Sequence, residues 1–196
     1  MGRIIESEGG SAPQIKDNIL ELVSQWSRYR GWWYATLACA GKTGSNGLVV
    51  RTKDFKVMEY VAMPPFNSNG MAEISSIIEG RKLYVACRQN YGIFKLLLSY
   101  YDLRTGEWGP VTEVVDGNSR PWFFIRRGRL FLMNTPDKPR KYIDISELSL
   151  TEGKISVKKI ATLQDCGFYY ATASFRGKIY MVVTLDTESF GPLPPL

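Results

Sequence analysis

The sequence predicts an all-β fold of β-propeller type, on three observations. A loop-and-strand unit recurs as Gly80-Arg-Lys-Leu-Tyr-Val-Ala, Gly128-Arg-Leu-Phe-Leu-Met and Gly177-Lys-Ile-Tyr-Met-Val-Val; aligned on Leu83, Leu130 and Ile179, the copies lie 47 and 49 residues apart. A second echo, Gly31-Trp-Trp-Tyr-Ala-Thr and Gly167-Phe-Tyr-Tyr-Ala-Thr, is offset by 136 residues, about three such periods. From Gly31 onward the chain breaks into short β-rich runs divided by Gly, Pro, Asn and Asp. A period in the forties, built of short strands closed by glycine turns, is that of a four-stranded propeller blade.

The elements follow in order. Residues 1–30 read as a polar, Gly-rich tail and a capping helix. The helix is expected over Ser11–Trp26, where Ile15, Ile19, Leu20, Leu22, Val23 and Trp26 form an apolar stripe at three- and four-residue spacing, with Pro13 in the first turn. Blades are expected over 31–66, 72–115, 120–163 and 167–186. The last has two strands only and is followed by a Pro-rich tail over 187–196. About three and a half four-stranded blades and one N-terminal helix result. An incomplete ring leaves an open strand edge and an apolar face, from which self-association, as a homo-oligomer, is expected.

Composition bounds the function. The 196 residues include no histidine, which removes Ser-His-Asp and Cys-His catalysis and most catalytic zinc sites. No metal and no cofactor is expected. The three cysteines, Cys39, Cys87 and Cys166, are expected to be reduced and buried; Cys39 and Cys87 sit in Leu-Ala-Cys-Ala and Val-Ala-Cys-Arg, contexts of strand positions where cysteine is a small hydrophobe. With no CxxC spacing and no apolar leader, a reduced, cytoplasmic setting is expected; a signal peptide removed beforehand would make the chain a secreted one. No run of 18 apolar residues exists, so no membrane partner is expected. The net charge of +6 is spread without a basic run or a nucleic-acid motif, so no nucleic acid is expected either.

Arg51-Thr-Lys-Asp54-Phe-Lys-Val-Met58 and Ser99-Tyr-Tyr-Asp102-Leu-Arg-Thr-Gly106-Glu-Trp108 resemble the Asp-box (BNR) turns of the sialidase-type propeller family, the second with a kelch-like flavour. In such turns the Asp carboxylate accepts backbone N–H groups and the aromatic packs between sheets. Further segments are similar to the family's site strands. Glu73 opens one strand and Arg88 ends the next. Leu132-Met-Asn134-Thr-Pro136-Asp-Lys-Pro-Arg140 resembles an arginine-bearing segment, and Gly167-Phe-Tyr-Tyr170-Ala-Thr the strand of the nucleophilic tyrosine, with Tyr169 in that place if the register slips by one. The likeness covers about residues 31–186 and corresponds to the second half of a full ring.

The resemblance implies Tyr170 and Glu73 as the catalytic pair and Arg88 and Arg140 as guanidinium clamps on a substrate carboxylate. The chemistry is coherent. A tyrosine hydroxyl needs a carboxylate to take its proton, since its free pKa is about 10. A planar guanidinium grips a carboxylate bidentately, as lysine does not. Yet one clamp arginine has no counterpart and the blade bearing the acid/base Asp is missing. The first expectation is therefore a sialidase-like propeller that binds a carbohydrate or another carboxylate ligand without turnover. An active exo-glycosidase completed by a second chain, and a non-catalytic scaffold, stay open. In the scaffold reading Tyr170, echoed by Tyr34, is only a repeated packing residue, and Trp32, Trp33, Trp108 and Trp122 are blade aromatics instead of sugar platforms.

Overall fold

The structure is a computed structural model that describes residues 3–5, 19–22, 25–41, 44–66, 71–89, 95–114, 119–136, 142–164 and 166–185. These residues are all-β, without a helix, and form four sheets. Sheet A contains β1 (Arg3–Ile5), β2 (Ile19–Leu22), β3 (Ser27–Tyr29), β4 (Trp32–Gly41), β5 (Gly44–Thr52) and β6 (Val57–Ala62). Sheet B contains β7 (Met71–Glu79), β8 (Lys82–Gln89), β9 (Leu96–Asp102), β10 (Glu107–Trp108) and β11 (Thr112–Val114). Sheet C contains β12 (Ser119–Arg126), β13 (Arg129–Thr135), β14 (Tyr142–Thr151) and β15 (Lys154–Gln164). Sheet D is the pair β16 (Cys166–Phe175) and β17 (Lys178–Leu185).

Sheets B and C are antiparallel meanders of four strand positions. The outermost position of sheet B is shared, since β10 pairs with Tyr101–Asp102 and β11 with Leu96–Leu98 of the same β9. Gly109 sits at that junction, where a Cβ would lie 2.3 Å from the Tyr100 ring. Only glycine lets the backbone pass there. The Tyr100 hydroxyl in turn donates to the Gly153 carbonyl of sheet C at 3.2 Å.

The innermost position of sheet A is also shared: β3 pairs with Trp32–Tyr34 and β2 with Leu37–Ala40. This corrects part of the N-terminal expectation. Of the helix expected over 11–26, residues 19–22 are strand β2 and residues 25 and 26 are in no regular element; residues 11–18, 23 and 24 lie outside the described residues. The inner edge of β4 needs a hydrogen-bonding partner, and Ile19–Leu22 supplies it. Outermost in sheet A, β1 adds to β6 in parallel.

The repeated glycines mark one hairpin in each sheet. Arg127-Gly128 and Arg176-Gly177 both have positive φ (51° and 70°; 48° and 71°), the type I′ turn whose twist matches two antiparallel strands. Arg30-Gly31, between β3 and β4, is built the same way. In sheet B the glycine moves to the first turn position, Gly80 (φ 62°). The strand residues nonetheless align, since Trp33, Leu83, Leu130 and Ile179 are each second in their strand. The Gly31/Gly167 echo is not structural: Gly31 is in a turn and Gly167 within β16.

Packing runs between successive sheets. Tyr34, Val49 and Ala62 of sheet A meet Ile74, Leu83, Val85 and Cys87 of sheet B. Tyr84, Ala86, Leu96 and Leu98 on the other face of sheet B meet Phe123, Leu130, Leu132 and Leu148 of sheet C. This explains why β8 reads as a continuous apolar run: both its faces are covered, by different sheets. Between C and D, Trp122 Nε1 donates to Thr172 Oγ1 at 3.0 Å. Beyond that contact, sheet D shows Phe175, Tyr180 and Val182 to solvent, Val182 75% exposed. Cys87 is buried as expected, Cys166 only half-buried, and the Cys39 side chain lies outside the described residues.

Candidate functional site

The inner strands β7, β12 and β16 each lose regular pairing near their first residues. The register shifts between Ala72 and Ile74, between Ser119 and Trp122, and between Cys166 and Tyr170. A bulge re-aims the extra residue and bends the strand. In β7 that residue is Glu73 (φ 53°), and in β12 it is Arg120 (φ 55°). Both are left-handed, at about 1–2 kcal/mol each for a non-glycine residue. They stand 47 residues apart, the same offset as Leu83 and Leu130. Equivalent places in neighbouring blades thus carry opposite charges at one end of the propeller.

The two side chains meet. Arg120 Nε lies 3.1 Å from Glu73 Oε1, and the Arg120 backbone N–H donates to Glu73 Oε2 at 2.8 Å. Arg88, at the end of β8, donates from a terminal guanidinium nitrogen to Glu73 Oε1 at 3.2 Å. Tyr170 reaches across from sheet D and donates its hydroxyl to the Arg120 carbonyl. Burial pushes the Tyr170 pKa far above that of a free tyrosine; the negative charge of Glu73 adds to the shift, while Arg120 opposes it. Glu73, Arg88 and Arg120 are mostly covered, with side chains 15, 16 and 26% exposed.

Three of the four residues selected from sequence, Glu73, Arg88 and Tyr170, therefore form one connected cluster. Arg140 lies outside the described residues. Arg120 was missed. Its signals were its place one repeat after Glu73 and the following Pro121, which cannot donate to a ladder and inside a sheet favours a bulge. Glu73 touches Tyr170 only through Arg120, and the tyrosine proton is given to a backbone carbonyl. This geometry holds the tyrosine as a neutral phenol and does not by itself activate it.

In both Asp turns, away from the cluster, the carboxylate accepts backbone N–H groups as expected. Asp54 Oδ1 accepts from Lys56 N (2.8 Å) and Val57 N (3.2 Å) between β5 and β6. Asp102 Oδ1 accepts from Arg104 N (2.9 Å) and Thr105 N (3.3 Å) between β9 and β10. Those N–H groups, with Lys82 3.1 Å from Oδ2, hold the Asp102 carboxyl well below the usual carboxylate range. Trp108 packs on Tyr101, with ring centroids 5.2 Å apart. Both turns are structural in role. Among the described residues no group of three His, Cys, Asp or Glu side chains could hold a metal, and no helix is long and apolar enough to cross a membrane.

No family model matches the sequence, and no curated protein does. Solved structures do match. A xylan β-1,4-xylosidase from Bacillus halodurans aligns with a TM-score of 0.58 at 16% identity, over 82% of this chain and 36% of that one. An exo-β-1,3-galactanase from Phanerochaete chrysosporium, solved with galactose, gives 0.62 at 10%, over 85% and 44%. A Trypanosoma rangeli sialidase mutant with trans-sialidase activity gives 0.54 at 13%, over 82% and 28%. The fold is that of β-propeller glycoside hydrolases. At such identities the likeness is one of fold, and the chain spans less than half the length of these three enzymes.

Proposed function

We propose that the chain is a sialidase-like propeller domain that binds a glycan or another carboxylated ligand at the Glu73–Arg88–Arg120–Tyr170 end, without turnover. The observation that carries this reading is the pair of strained bulges: two left-handed non-glycine residues spend backbone energy to bring Glu73 and Arg120 together at one end of the inner strands. Strain of this kind persists where a site needs it. Two guanidinium groups on one carboxylate leave the cluster one positive charge in excess, which favours an anionic group. The glycoside-hydrolase fold makes a sugar acid the natural class. Binding without turnover fits a tyrosine that stays protonated, its hydroxyl directed to a carbonyl and not to Glu73.

Calorimetric titration with N-acetylneuraminic acid and with its methyl ester tests the proposal. The acid is expected to bind and the ester to bind at least about tenfold more weakly, the loss of a charge-assisted pair. Equal affinities would contradict the reading. Release of the fluorophore from a 4-methylumbelliferyl sialoside, abolished by Tyr170→Phe, would promote the exo-glycosidase reading instead. Self-association belongs to the same proposal, because the two-stranded sheet D leaves the exposed Phe175, Tyr180 and Val182 together; a strictly monomeric sedimentation profile at micromolar concentration would contradict that part.

A further inference from the structure

We infer that the chain has a binding site, separate from the Glu73 cluster, for a neutral polyhydroxylated ligand of monosaccharide size, in a pocket between sheets B and C lined largely by residues of polar type. The pocket holds about 290 Å³, near the lower end of the range for small-molecule sites. Its floor is made by β13 and β14. Asn134 and Asp144 are directly paired across those strands, and Ser146 lies two residues beyond Asp144 on the same face. All three are almost fully buried, at 2, 4 and 3% exposure. Val157 and Lys159 of β15 and Thr112 of β11 complete the walls.

These buried polar side chains interrupt an otherwise apolar interface. A few residues along, the same B–C interface is sealed by Leu96, Leu98, Val114, Phe123 and Leu132. Putting a carboxylate and an amide where apolar side chains would close the gap costs desolvation energy. Internal partners offset that cost: Asp144 Oδ1 accepts from Thr162 Oγ1 at 2.6 Å, and Lys159 Nζ, itself half exposed, stands 3.4 Å from Oδ2.

The lining suits adjacent hydroxyl groups. The Asp144 carboxylate accepts only, the Asn134 amide both donates and accepts, and the Lys159 ammonium donates. Two neighbouring hydroxyls can donate to Asp144 while their oxygens accept from Asn134 or Lys159, and Val157 offers an apolar surface to the C–H face of a sugar ring. Charge selects for neutrality. Asp144 and Lys159 offset each other, and Glu113 at the rim is held by Lys95. A sugar acid would bring its carboxylate against Asp144. The site shares no side chain with the Glu73 cluster and stands whether or not that cluster binds a ligand.

The test is a heteronuclear NMR titration of the full chain with D-xylose, D-galactose and N-acetylneuraminic acid. A neutral sugar should shift the amides of Asn134, Asp144, Ser146 and Lys159 saturably. Asp144→Asn, of the same shape, should weaken this binding about tenfold or more. Lys159→Ala, checked for folding by circular dichroism because Lys159 pairs with the buried Asp144, should weaken it less, and Arg88→Ala should leave it unchanged. The inference is overturned if no neutral sugar shifts these amides, if N-acetylneuraminic acid shifts them more strongly, or if a correctly folded Lys159→Ala and Asp144→Asn both bind as the wild type does.

Discussion

The two ends of the inner strands are built by opposite means. At the hairpin end the blades repeat: Gly31, Gly128 and Gly177 occupy the same turn position at left-handed φ, and the next strand starts in the same register. At the bulge end the blades diverge, and equivalent positions carry Glu73 in one sheet and Arg120 in the next. Repetition serves pairing and packing, which every blade needs alike. Divergence at a repeated, strained position is the feature on which the proposed ligand site rests.

Removing Glu73 breaks this contrast most severely. Glu73→Ala leaves two mostly covered guanidinium groups facing each other and strips the Arg120 N–H of its acceptor, a loss of about 2–3 kcal/mol for a pair not fully buried. Chemical denaturation measures it. Glu73→Gly separates charge from strain, since glycine accepts φ 53° freely; it should be more stable than the alanine variant by about 1 kcal/mol. Equal stabilities would mean the bulge is relaxed.

At the hairpin end Gly128→Ala should cost about 1–2 kcal/mol in the same measurement. A Cβ there meets nothing within 4 Å, so the cost is purely that of φ 70°. A neutral result would remove the turn from the account. Tyr170→Phe comes next, at about 1 kcal/mol, because the Arg120 carbonyl loses its donor. In the wild type the elevated Tyr170 pKa means that stability is present below the unfolded value of about 10 and declines above it, as the unfolded chain alone ionises. That alkaline decline should be shallower in Tyr170→Phe.

The smallest effect concerns the Asp turns. The folded pKa of Asp102 is depressed, so its contribution is present above the unfolded value of about 3.9 and is lost as pH falls below it toward the folded value. Asp102→Asn should flatten the acid limb of the stability profile below about pH 4 and leave neutral-pH ligand binding untouched. An unchanged acid limb would show that the turn carboxylate is not the titrating group.

How much was legible in the sequence follows from the same division. The glycine turns and the strands after them could be read because each is a local device repeated at a fixed period. Residues 19–22 could not: the apolar Ile19, Leu20 and Leu22 fit a helix stripe and a short strand equally, and the decision falls to the inner edge of β4. Tyr34 and Tyr170 share a motif yet sit on second and innermost strands, one buried between sheets A and B and the other joined to the cluster. Resemblance singles out Glu73, Arg88 and Tyr170, and the structure joins them in one cluster. Arg120 needed the bulge geometry, because nothing local in Ser119-Arg120-Pro121 says that its carbonyl and guanidinium would link Tyr170 to Glu73.

The divergent end is our proposed carboxylate-binding site. Its most direct test is titration of N-acetylneuraminic acid into the wild type, Arg88→Ala and Gly128→Ala, each checked for folding by circular dichroism. The account predicts that Arg88→Ala weakens binding by about tenfold or more, the loss of one charge-assisted hydrogen bond, while Gly128→Ala binds as the wild type does despite its lower stability. Binding that survives Arg88→Ala, or falls equally in both variants, would contradict it.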